Sequence, residues 1–349
     1  GMPEAIQRGD PVGAQRLLHR DLILPGVLGY ICPAPCEKAC RRSDKDAPVA
    51  IRAIHRTIAN SAMLAEGGGE TGGERGGDWS PGGGVAVVGA GPCGLSASVH
   101  LLRLGHRVTL FEKEEAPGGG LRTQIESTRL PRAVLDDEAS VAERLGAEFH
   151  AGVWLGGERL SADVYGTFDA VVLAIGVTDA ATAEQLGVGF GGRGIEVDSA
   201  TGQTARSGVF AAGSAVRPGR MAVRAVAAGR NVACAVDQFL RGTPVRGWER
   251  PFNHRMATLD AAAFERFSAG ASDAPRTRLQ EENASLSASQ TVTEAGRCLH
   301  CECRKPDDCT LRYYAQRYGA STRRHRLQCA PFRRDISHRS EERRVGKEC

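Results

Sequence analysis

The alternation of hydrophobic and polar positions predicts a strand, a helix and a second strand between residues 85 and 112. Residues 85–88 are apolar and rich in β-branched side chains, as is typical of a buried parallel strand. An apolar helix is predicted over residues 95–104, and Gly105 ends it. A second strand follows over residues 107–111. This order predicts two parallel strands joined by a crossover helix.

The turn between the first strand and the helix has the pattern of a dinucleotide-binding site. It reads Gly89-Ala90-Gly91-Pro92-Cys93-Gly94, a G-x-G-x-x-G sequence. Gly89 permits the tight turn, Gly91 lets the backbone approach a diphosphate, and Gly94 lets the helix pack closely on the strand. The free N–H groups and the dipole at the start of the helix favour an anion there. Glu112, about 20 residues beyond the glycines, is placed to accept hydrogen bonds from ribose hydroxyls.

Further periodic segments predict the remaining elements. Helices are predicted over residues 3–20 (with a break at 9–11), 47–65, 131–145, 221–240, 259–268 and 311–318. Strands are predicted over residues 147–154, 168–176 and 208–213. The last strand ends in Ala-Gly and leads to the helix at 221, so it predicts a second element that faces a phosphate or a flavin.

Two other glycine-rich stretches have different interpretations. Residues 117–122, Pro-Gly-Gly-Gly-Leu-Arg, either wrap a cofactor with their backbone or form a simple turn, and the sequence leaves both open. Residues 189–194 also spell G-x-G-x-x-G, but a strand-like segment and a turn follow instead of a helix. We therefore reject a second nucleotide site there, because the helix that binds the phosphates is absent.

The cysteines suggest metal ligation. Two groups contain seven of the eleven cysteines, namely Cys32, Cys36 and Cys40, and Cys298, Cys301, Cys303 and Cys309. Clustering without a visible export signal favours metal binding over disulfides and predicts a reducing cytoplasm as the setting. Cys93 either has a lowered pKa at the helix start or is a small packing residue, and we favour packing.

Each cysteine group has an alternative interpretation. The first group has the spacing C-x3-C-x3-C with Pro33 and Pro35 between its members, which differs from a zinc ribbon. Three thiols are one short of the four ligands of an iron–sulfur cluster, and the alternative is three buried or free thiols in a helical domain. The second group, with His300, is a metal-site candidate for zinc or iron–sulfur. Its alternative is a cysteine-rich turn before a helix.

Composition limits the remaining choices. A chain of 349 residues predicts one to three domains, and 41% hydrophobic with 25% charged residues is ordinary for a soluble globular protein. The net charge of +4 does not indicate nucleic acid binding, and no apolar run reaches the length of a membrane span. Both ends are expected to be cut. Residues 339–349 resemble a translated sequencing adapter, so we expect a non-native tail, with a charged disordered tail as the alternative.

The fold class predicted is α/β. A Rossmann-like nucleotide-binding domain follows a small all-α domain that contains cysteines, and an irregular cysteine-rich segment ends the chain. The predicted boundaries are a helical domain of iron–sulfur type at 1–65, a glycine-rich linker at 66–84, the nucleotide-binding domain at 85–242, an irregular extension at 243–297, the cysteine-rich segment at 298–329 and the tail at 339–349.

Together these motifs resemble the flavoprotein small subunit of glutamate synthase and the amino-terminal half of dihydropyrimidine dehydrogenase. The resemblance rests on four motifs in family order, at residues 29–40, 88–95, 117–122 and 208–213 with the helix that follows. It implies FAD, with Gly89, Gly91, Gly94 and Glu112 on its ADP half. It implies that Gly213 and the helix after Ser214 lie against the ribityl chain and isoalloxazine.

The same resemblance implies Cys32, Cys36 and Cys40 as ligands of a 4Fe–4S cluster, a set that is incomplete in this chain. The full set of candidate cofactor-binding residues is Gly89, Ala90, Gly91, Pro92, Cys93, Gly94, Glu112, Lys113, Gly119, Gly120, Leu121, Arg122, Gly176, Gly213 and Ser214.

Three departures from the family pattern qualify these expectations. Only about thirty residues separate the strands near 171–176 and 208–213, too few for the inserted NAD(P)H-binding domain of the family. Ser214 stands where the family has an aspartate. The family's further ligand cysteines lie upstream of Cys32, and this chain has none there.

The resemblance therefore implies an FAD-dependent oxidoreductase or electron-transfer module that passes electrons between a flavin and iron–sulfur clusters. The expected partner is a redox protein or a missing domain that supplies electrons from NAD(P)H or ferredoxin. Two alternatives stay open: an NAD(P)H-dependent reductase whose nicotinamide site is supplied elsewhere, and a non-catalytic FAD-binding scaffold. No catalytic acid, base or nucleophile is needed for electron transfer.

Overall fold

The computed structural model describes residues 1–60, 84–155, 164–248, 259–279, 281, 283–301 and 310–318. The chain divides into two compact units, residues 1–249 with 260–301, and residues 250–259 with 302–349. The predicted linker, apart from Gly84, and the predicted tail lie outside the described residues. The first unit contains the sheet and its surrounding helices.

A five-stranded parallel sheet forms the centre of the first unit. Its strands are β1 (Val85–Val88), β2 (Val108–Phe111), β3 (Glu148–His150), β4 (Ala170–Leu173) and β5 (Val209–Ala211). The order across the sheet is β3-β2-β1-β4-β5, and every pair is parallel. Strands β1 and β4 are buried along their whole length. Their uninterrupted apolar runs match a sheet covered on both faces.

Fourteen α-helices are named among the described residues. They are α1 (Met2–Gln7), α2 (Pro11–Asp21), α3 (Pro25–Ile31), α4 (Pro35–Lys38), α5 (Ile51–Asn60), α6 (Pro92–Arg103), α7 (Gly120–Thr123), α8 (Arg132–Ala139), α9 (Val141–Arg144), α10 (Ala180–Gln185), α11 (Ala222–Leu240), α12 (Ala261–Ser268), α13 (Ala288–Gly296) and α14 (Thr310–Arg317). Helix α14 belongs to the second unit. None of the helices that the structure describes combines the length and apolarity of a transmembrane segment.

Helices α6 and α11 pack against each other more closely than side chains would normally allow. A Cβ atom added to Gly229, in the middle of α11, would overlap the carbonyl oxygen of Cys93 and lie 2.8 Å from the Cβ of Ser96. The Ser96 hydroxyl, buried in this contact, donates to the Val226 carbonyl at 2.7 Å. The missing side chain at Gly229 therefore fixes the distance between the two helices.

The amino-terminal helices and a late segment share one hydrophobic core. Side chains from α1, α2, α5 and α13 form this cluster, among them Ile6, Leu18, Ile54 and Ala295. Helix α3 differs, because its Val27 and Leu28 pack with the core of the sheet domain. Helix α3 thus connects the helical part to the sheet, and it ends just before Cys32.

A buried network of charges attaches residues 260–301 to the amino-terminal helices. The fully buried guanidinium of Arg297 lies 2.7 Å from Glu294 and 3.0 Å from Asp46. Arg42, also fully buried, lies 2.6 Å from Asp46 and donates to the Arg297 carbonyl at 3.1 Å. The hydrogen bond from Arg42 holds the pKa of Asp46 far below its usual value. Removing one member would leave an unpaired buried charge.

The predicted elements agree with the structure where hydrophobic periodicity is strong. The α/β class is confirmed, and helices are present within 221–240 and 259–268 as predicted. The single helix predicted over 131–145 is instead α8 and α9, which are separated at Ser140. Helix α13 was not predicted, because residues 243–297 outside the helix at 259–268 are predicted to be an irregular extension, and this part of the prediction is wrong. Residues 61–65 of the predicted helix over 47–65 lie outside the described residues.

We expect Gly229→Ala to reduce the free energy of unfolding by roughly 1–3 kcal/mol, because the added methyl group overlaps the Cys93 carbonyl oxygen. Urea unfolding of the full chain, followed by circular dichroism, measures this loss. Gly166→Ala is the matched control, since a Cβ there meets no atom within 4 Å. Equal stability of the two variants would contradict the close packing of α6 on α11.

Glu138 of α8 caps the first turn of α3 from inside the protein. Its carboxylate accepts hydrogen bonds from the backbone N–H of Gly26 at 2.6 Å and of Val27 at 2.8 Å. Burial raises the pKa of Glu138 to about 7, and the two backbone donors oppose this shift without cancelling it. In the unfolded chain the same group titrates near pH 4.3.

Because the folded protein holds this proton more tightly than the unfolded chain, the contribution of Glu138 to stability decreases as the pH rises from about 4.3 to about 7. This carboxyl alone contributes a decrease on the order of 3 kcal/mol across this window, whereas burial lowers the pKa of His19, His55 and His100 and gives an opposite trend. Glu138→Gln should remove the Glu138 component, so the stability of the wild type relative to this variant should fall as the pH rises. Urea unfolding of both proteins from pH 4 to pH 8 measures it, and parallel profiles would refute the assignment.

Candidate functional site

The glycine turn after β1 is packed tightly at the carboxyl end of the sheet. Gly89 has a φ of +102°, and a Cβ there would lie 2.6 Å from the carbonyl oxygen of Ala174, just beyond β4. A Cβ at Gly94 would overlap the Gly89 carbonyl oxygen. Only glycine fits either position. The start of α6 is therefore fixed at the edge where β1 and β4 end.

Gly91 has a different role, since it faces open space. It is the N-cap of α6 and offers no side-chain hydrogen bond to the helix start. A Cβ added to Gly91 would meet only the Cα of Gly119, at 4.0 Å. The backbone of Gly91 therefore borders an open space that a side chain would fill. We call this space, next to the turn at residues 89–94, the cradle. The first N–H groups of α6 point toward that side, as in diphosphate-binding turns.

The second glycine run lies directly against the first. The N–H of Gly118 donates to the Ala90 carbonyl at 2.8 Å. Gly119 has a φ of +49°, and its Cβ would lie 3.0 Å from the Cα of Gly91. Residues 117–120 therefore form one wall of the cradle, and this proximity favours the interpretation of a cofactor-wrapping loop over that of a simple turn.

Glu112 anchors the cradle from β2. Its buried carboxylate accepts hydrogen bonds from the N–H of Ala90 at 2.7 Å and of Glu114 at 3.1 Å. Each oxygen keeps capacity for a second donor, such as a ribose hydroxyl. The bond to Ala90 was not anticipated from the sequence, because it depends on the parallel pairing of β1 with β2. Lys113, by contrast, is exposed, with its ammonium 3.7 Å from the Glu114 carboxylate.

Other predicted residues of this loop stabilise it from within. Leu121 is buried in the core of the sheet domain. Arg122 donates to the Pro117 carbonyl at 2.9 Å and forms an ion pair with Asp136. Gly120 is the first residue of α7. Among the described residues, the contacts of Leu121 and Arg122 are with the protein itself, so these side chains stabilise the loop.

The segment after β5 completes the edge. A Cβ at Gly213 would lie 2.9 Å from the sulfur of Cys93, so this turn touches the start of α6. Ser214 lies in the same 3-10 turn, Gly213–Ala215, and α11 begins at Ala222 with Met221 as N-cap. Gly176, beyond β4, borders open space.

Cys93 is a packing residue. It is fully enclosed between α6 and the Gly213 turn, and burial raises the pKa of its thiol to about 12. The alternative of a lowered pKa at the helix start is therefore wrong. A neutral thiol fills the space beneath the turn and keeps the positive helix end available to another anion.

Cys32, Cys36 and Cys40 lie on the connection between α3 and α5, with Cys36 in the short helix α4. Ala34, between two prolines, has a φ of +49°, an uncommon conformation for a residue with a side chain. Helix α5 holds the loop, because the Arg52 guanidinium donates to the Cys32 carbonyl at 3.1 Å. Burial raises the pKa of Cys36, and Glu37 and Cys32 add to the shift.

The three thiols do not form a closed ligand set. Within the described part of the chain, no three His, Cys, Asp or Glu side chains are grouped so that they can hold a metal ion. An iron–sulfur cluster needs four ligands, and this loop supplies three. The residues present therefore do not by themselves fit a cluster, and no step of the chemistry proposed below runs through one.

A cleft of about 540 Å³ opens beside this loop. Pro33, Ala34 and Glu37 line one side. Residues 276–279 line the other side, and the Arg276 guanidinium lies 2.6 Å from the Glu37 carboxylate. This ion pair joins the cysteine loop to the segment that precedes α13. The cleft was not predicted from the sequence, since its walls are more than 200 residues apart.

The second cysteine group is only partly described. Cys298 packs against the core of the amino-terminal helices, as Cys40 does. Cys301 is exposed, and His300 lies between them with its ring nitrogen 3.3 Å from the Gln7 amide. Cys303 and Cys309 lie outside the described residues, so the choice between zinc, iron–sulfur and a simple turn stays a prediction.

Comparison with known families agrees with this architecture. Residues 85–229 match the family model of pyridine nucleotide-disulphide oxidoreductases. Residues 2–66 match the model of dihydropyrimidine dehydrogenase domain II, 4Fe-4S cluster. The first model implies FAD or NAD(P), and the second implies a 4Fe–4S cluster. The predicted cofactor types and the predicted oxidoreductase class are confirmed.

Three relatives illustrate the similarity. The chain is 34% identical over 191 residues to the NADP(+)-dependent formate dehydrogenase subunit beta of Moorella thermoacetica, covering 50% of this chain and 27% of that protein. It is 32% identical to the NAD-dependent dihydropyrimidine dehydrogenase subunit PreT of Salmonella typhimurium, covering 48% and 40%. It is 39% identical to the glutamate synthase [NADPH] small chain of Mycobacterium tuberculosis, covering 50% and 35%.

The chain spans well under half the length of each of these relatives. The resemblance inferred from the motifs is confirmed, and two of the three relatives are named as subunits. Within residues 2–229, this protein is therefore similar to dihydropyrimidine dehydrogenase domain II over residues 2–66 and to pyridine nucleotide-disulphide oxidoreductases over residues 85–229.

Proposed function

We propose that this chain is an FAD-dependent electron-transfer module of a larger oxidoreductase. The observation that carries the proposal is the cradle at the carboxyl edge of the sheet. At this edge the glycine turn at residues 89–94 contacts the glycine run at 117–120 and the Glu112 carboxylate. Ligands of open parallel sheets bind at this edge.

Different residues around the cradle bind different parts of FAD. The uncapped N–H groups at the start of α6 receive the diphosphate, which the dipole of a 12-residue helix also favours. Glu112 orients the ribose while its bond to Ala90 keeps the turn in place. The turn at Gly213 and the start of α11 border the remaining part of the cofactor, toward its ring system.

No acid–base group of this chain is required by the proposal. When bound, FAD supplies the redox chemistry, since a flavin takes up two electrons together and releases them singly. The chain binds and orients the cofactor. Its Cys93 thiol, neutral because of burial, takes no part in proton transfer. We also propose a reducing, cytoplasmic setting, in which the thiols at positions 32, 36 and 40 stay unoxidised.

The source of the electrons lies outside the cradle. Residues 174–208, which connect β4 to β5 and are all described, contain the short helix α10 and isolated bridges but no strand–helix–strand unit. A nicotinamide-binding domain of Rossmann type needs at least that unit. We therefore propose that a redox partner or another domain delivers the electrons.

A second candidate function is an NAD(P)H-dependent reductase whose nicotinamide site is supplied by another subunit or domain. The names of the three relatives, which specify NADP(+), NAD and NADPH, favour this candidate. It shares the FAD cradle and differs only in the donor.

We expect Gly91→Ala to weaken FAD binding without destabilising the fold. Its methyl group would project into the open cradle, where it displaces the diphosphate and raises the dissociation constant by about tenfold to a hundredfold. Fluorescence titration with FAD and urea unfolding of the apoprotein measure the two effects. Gly94→Ala is the contrasting variant, because its methyl group overlaps the Gly89 carbonyl and should lower stability. Unchanged FAD affinity in Gly91→Ala would refute the cradle.

We expect the purified chain, handled anaerobically, to bind one FAD and to show the visible absorbance of an oxidised flavin. Reduced ferredoxin should bleach this absorbance, and NADPH alone should not. Rapid bleaching by NADPH alone would instead support the reductase, and no response to either donor would support the non-catalytic scaffold. Iron and zinc analysis of the same sample tests the metal predictions. A chain that takes up no FAD contradicts the proposed function.

A further inference from the structure

The segment that includes β5 and most of α11 contains several arginines and no acidic residue. Between Asp198 and Asp237 the sequence contains five arginines and no acidic residue. Two of the five have structural roles, because Arg206 stacks on Tyr165 and Arg230 stacks on Trp248, with the guanidinium carbons 3.9 Å and 4.4 Å from the ring centroids. The remaining three need another explanation.

Arg217, Arg220 and Arg224 are exposed. Within the residues that the structure describes, none of them has a side-chain hydrogen bond or an ion pair. Arg220 precedes the N-cap of α11, and Arg224 lies in its first turn. Cations near a helix N-terminus are unfavourable, since that end carries a partial positive charge. The fold therefore gains nothing from these arginines at these positions.

A fourth arginine joins them from the connection between β4 and β5. Residue 195 pairs with the Gly213 turn, because the N–H of Ile195 donates to the Ala215 carbonyl at 2.8 Å. A Cβ at Gly194 would lie 2.5 Å from the Val216 carbonyl oxygen. Arg193, next to this contact, is exposed and also has no side-chain partner in the described ranges. We call Arg193, Arg217, Arg220 and Arg224 the basic rim.

The basic rim borders the cradle. The Gly213 turn touches Cys93 at the start of α6, and Arg217 follows four residues after Gly213, with its N–H bonded to the Gly213 carbonyl at 3.0 Å. The acidic residues closest in sequence have other contacts. Glu196 faces Gly189 and Gly191, and Asp198 accepts hydrogen bonds within its own turn. Neither carboxylate forms an ion pair with a rim arginine among the described residues, and the four guanidinium groups outnumber these two acids.

We propose that the basic rim is the docking surface for an acidic one-electron carrier protein. The inference rests on the proposed function, because it identifies the class of partner that delivers electrons to the same edge. Exposed charge of one sign steers a partner of the opposite sign and orients it before contact. Single-stranded nucleic acid is the less favoured polyanion. Trp248, the exposed aromatic residue nearest to the rim in sequence among the described residues, already stacks on Arg230 and is therefore not free to stack on bases.

The test uses the full chain with added FAD and a plant-type ferredoxin, an acidic carrier, as the probe. In Arg217→Glu/Arg220→Glu/Arg224→Glu we expect the affinity for ferredoxin, measured by calorimetry, to fall about tenfold or more. The wild-type affinity should fall steeply as ionic strength rises. The matched control is Arg16→Glu/Arg107→Glu/Arg266→Glu, which makes the same change in charge at exposed arginines away from this edge. Less than about a twofold change is expected there.

Several results would overturn the inference. They are equal weakening in both triple variants, no effect of the rim variant, no binding of ferredoxin by the wild type, and tighter binding of a single-stranded oligonucleotide than of ferredoxin. The glutamine version of the rim variant, which is milder for the fold, should show a smaller loss in the same direction. FAD content is measured in every sample. A wild type without FAD contradicts the proposed function, whereas FAD-loaded rim variants that still bind ferredoxin contradict only the basic rim.

Discussion

The close approach of α6 to its neighbours is the constraint on which the rest of the structure depends. On one side Gly94 lets α6 lie against the turn after β1, and on the other Gly229 lets α11 lie against α6. Both contacts involve backbone oxygens that no side chain can displace. With α6 held from both sides, its uncapped amino end is fixed at the carboxyl edge of the sheet. The orientation of a helix dipole is useful for binding only if the helix cannot shift, and here glycines provide that rigidity.

A second constraint, made of charges, holds the helical part together. Arg42, Arg297, Asp46 and Glu294 are buried or partly buried, and their attraction must offset the cost of removing them from water. We infer that these paired charges, whose geometry is fixed, determine how residues 260–301 cover the amino-terminal helices. The same arrangement places Cys298 on the core that Cys40 also contacts, although the two are far apart in sequence.

The sequence predicted best what is determined locally. The β1–α6–β2 unit and its glycines follow from periodicity and from a turn in which each residue has its own steric reason. Prediction was weaker where long-range contacts decide the outcome. Helix α13 packs on α1 and α5, which lie more than 200 residues earlier, and Arg297 is interpretable only beside Asp46, about 250 residues earlier. The split between α8 and α9 depends on Ser140, whose hydroxyl bonds the Asp137 carbonyl, a competition that periodicity does not show.

The connection between β4 and β5 links the fold to its proposed chemistry. Instead of forming a domain, residues 174–208 turn back so that Ile195 pairs with the Gly213 turn. This leaves the edge of the cradle bordered by a short turn and by the start of α11. A nicotinamide domain at this position would cover the same edge and bring its own donor. Because this connection holds no such domain, we propose that the exposed charges around the edge, rather than a bound nicotinamide, determine which electron donor can approach.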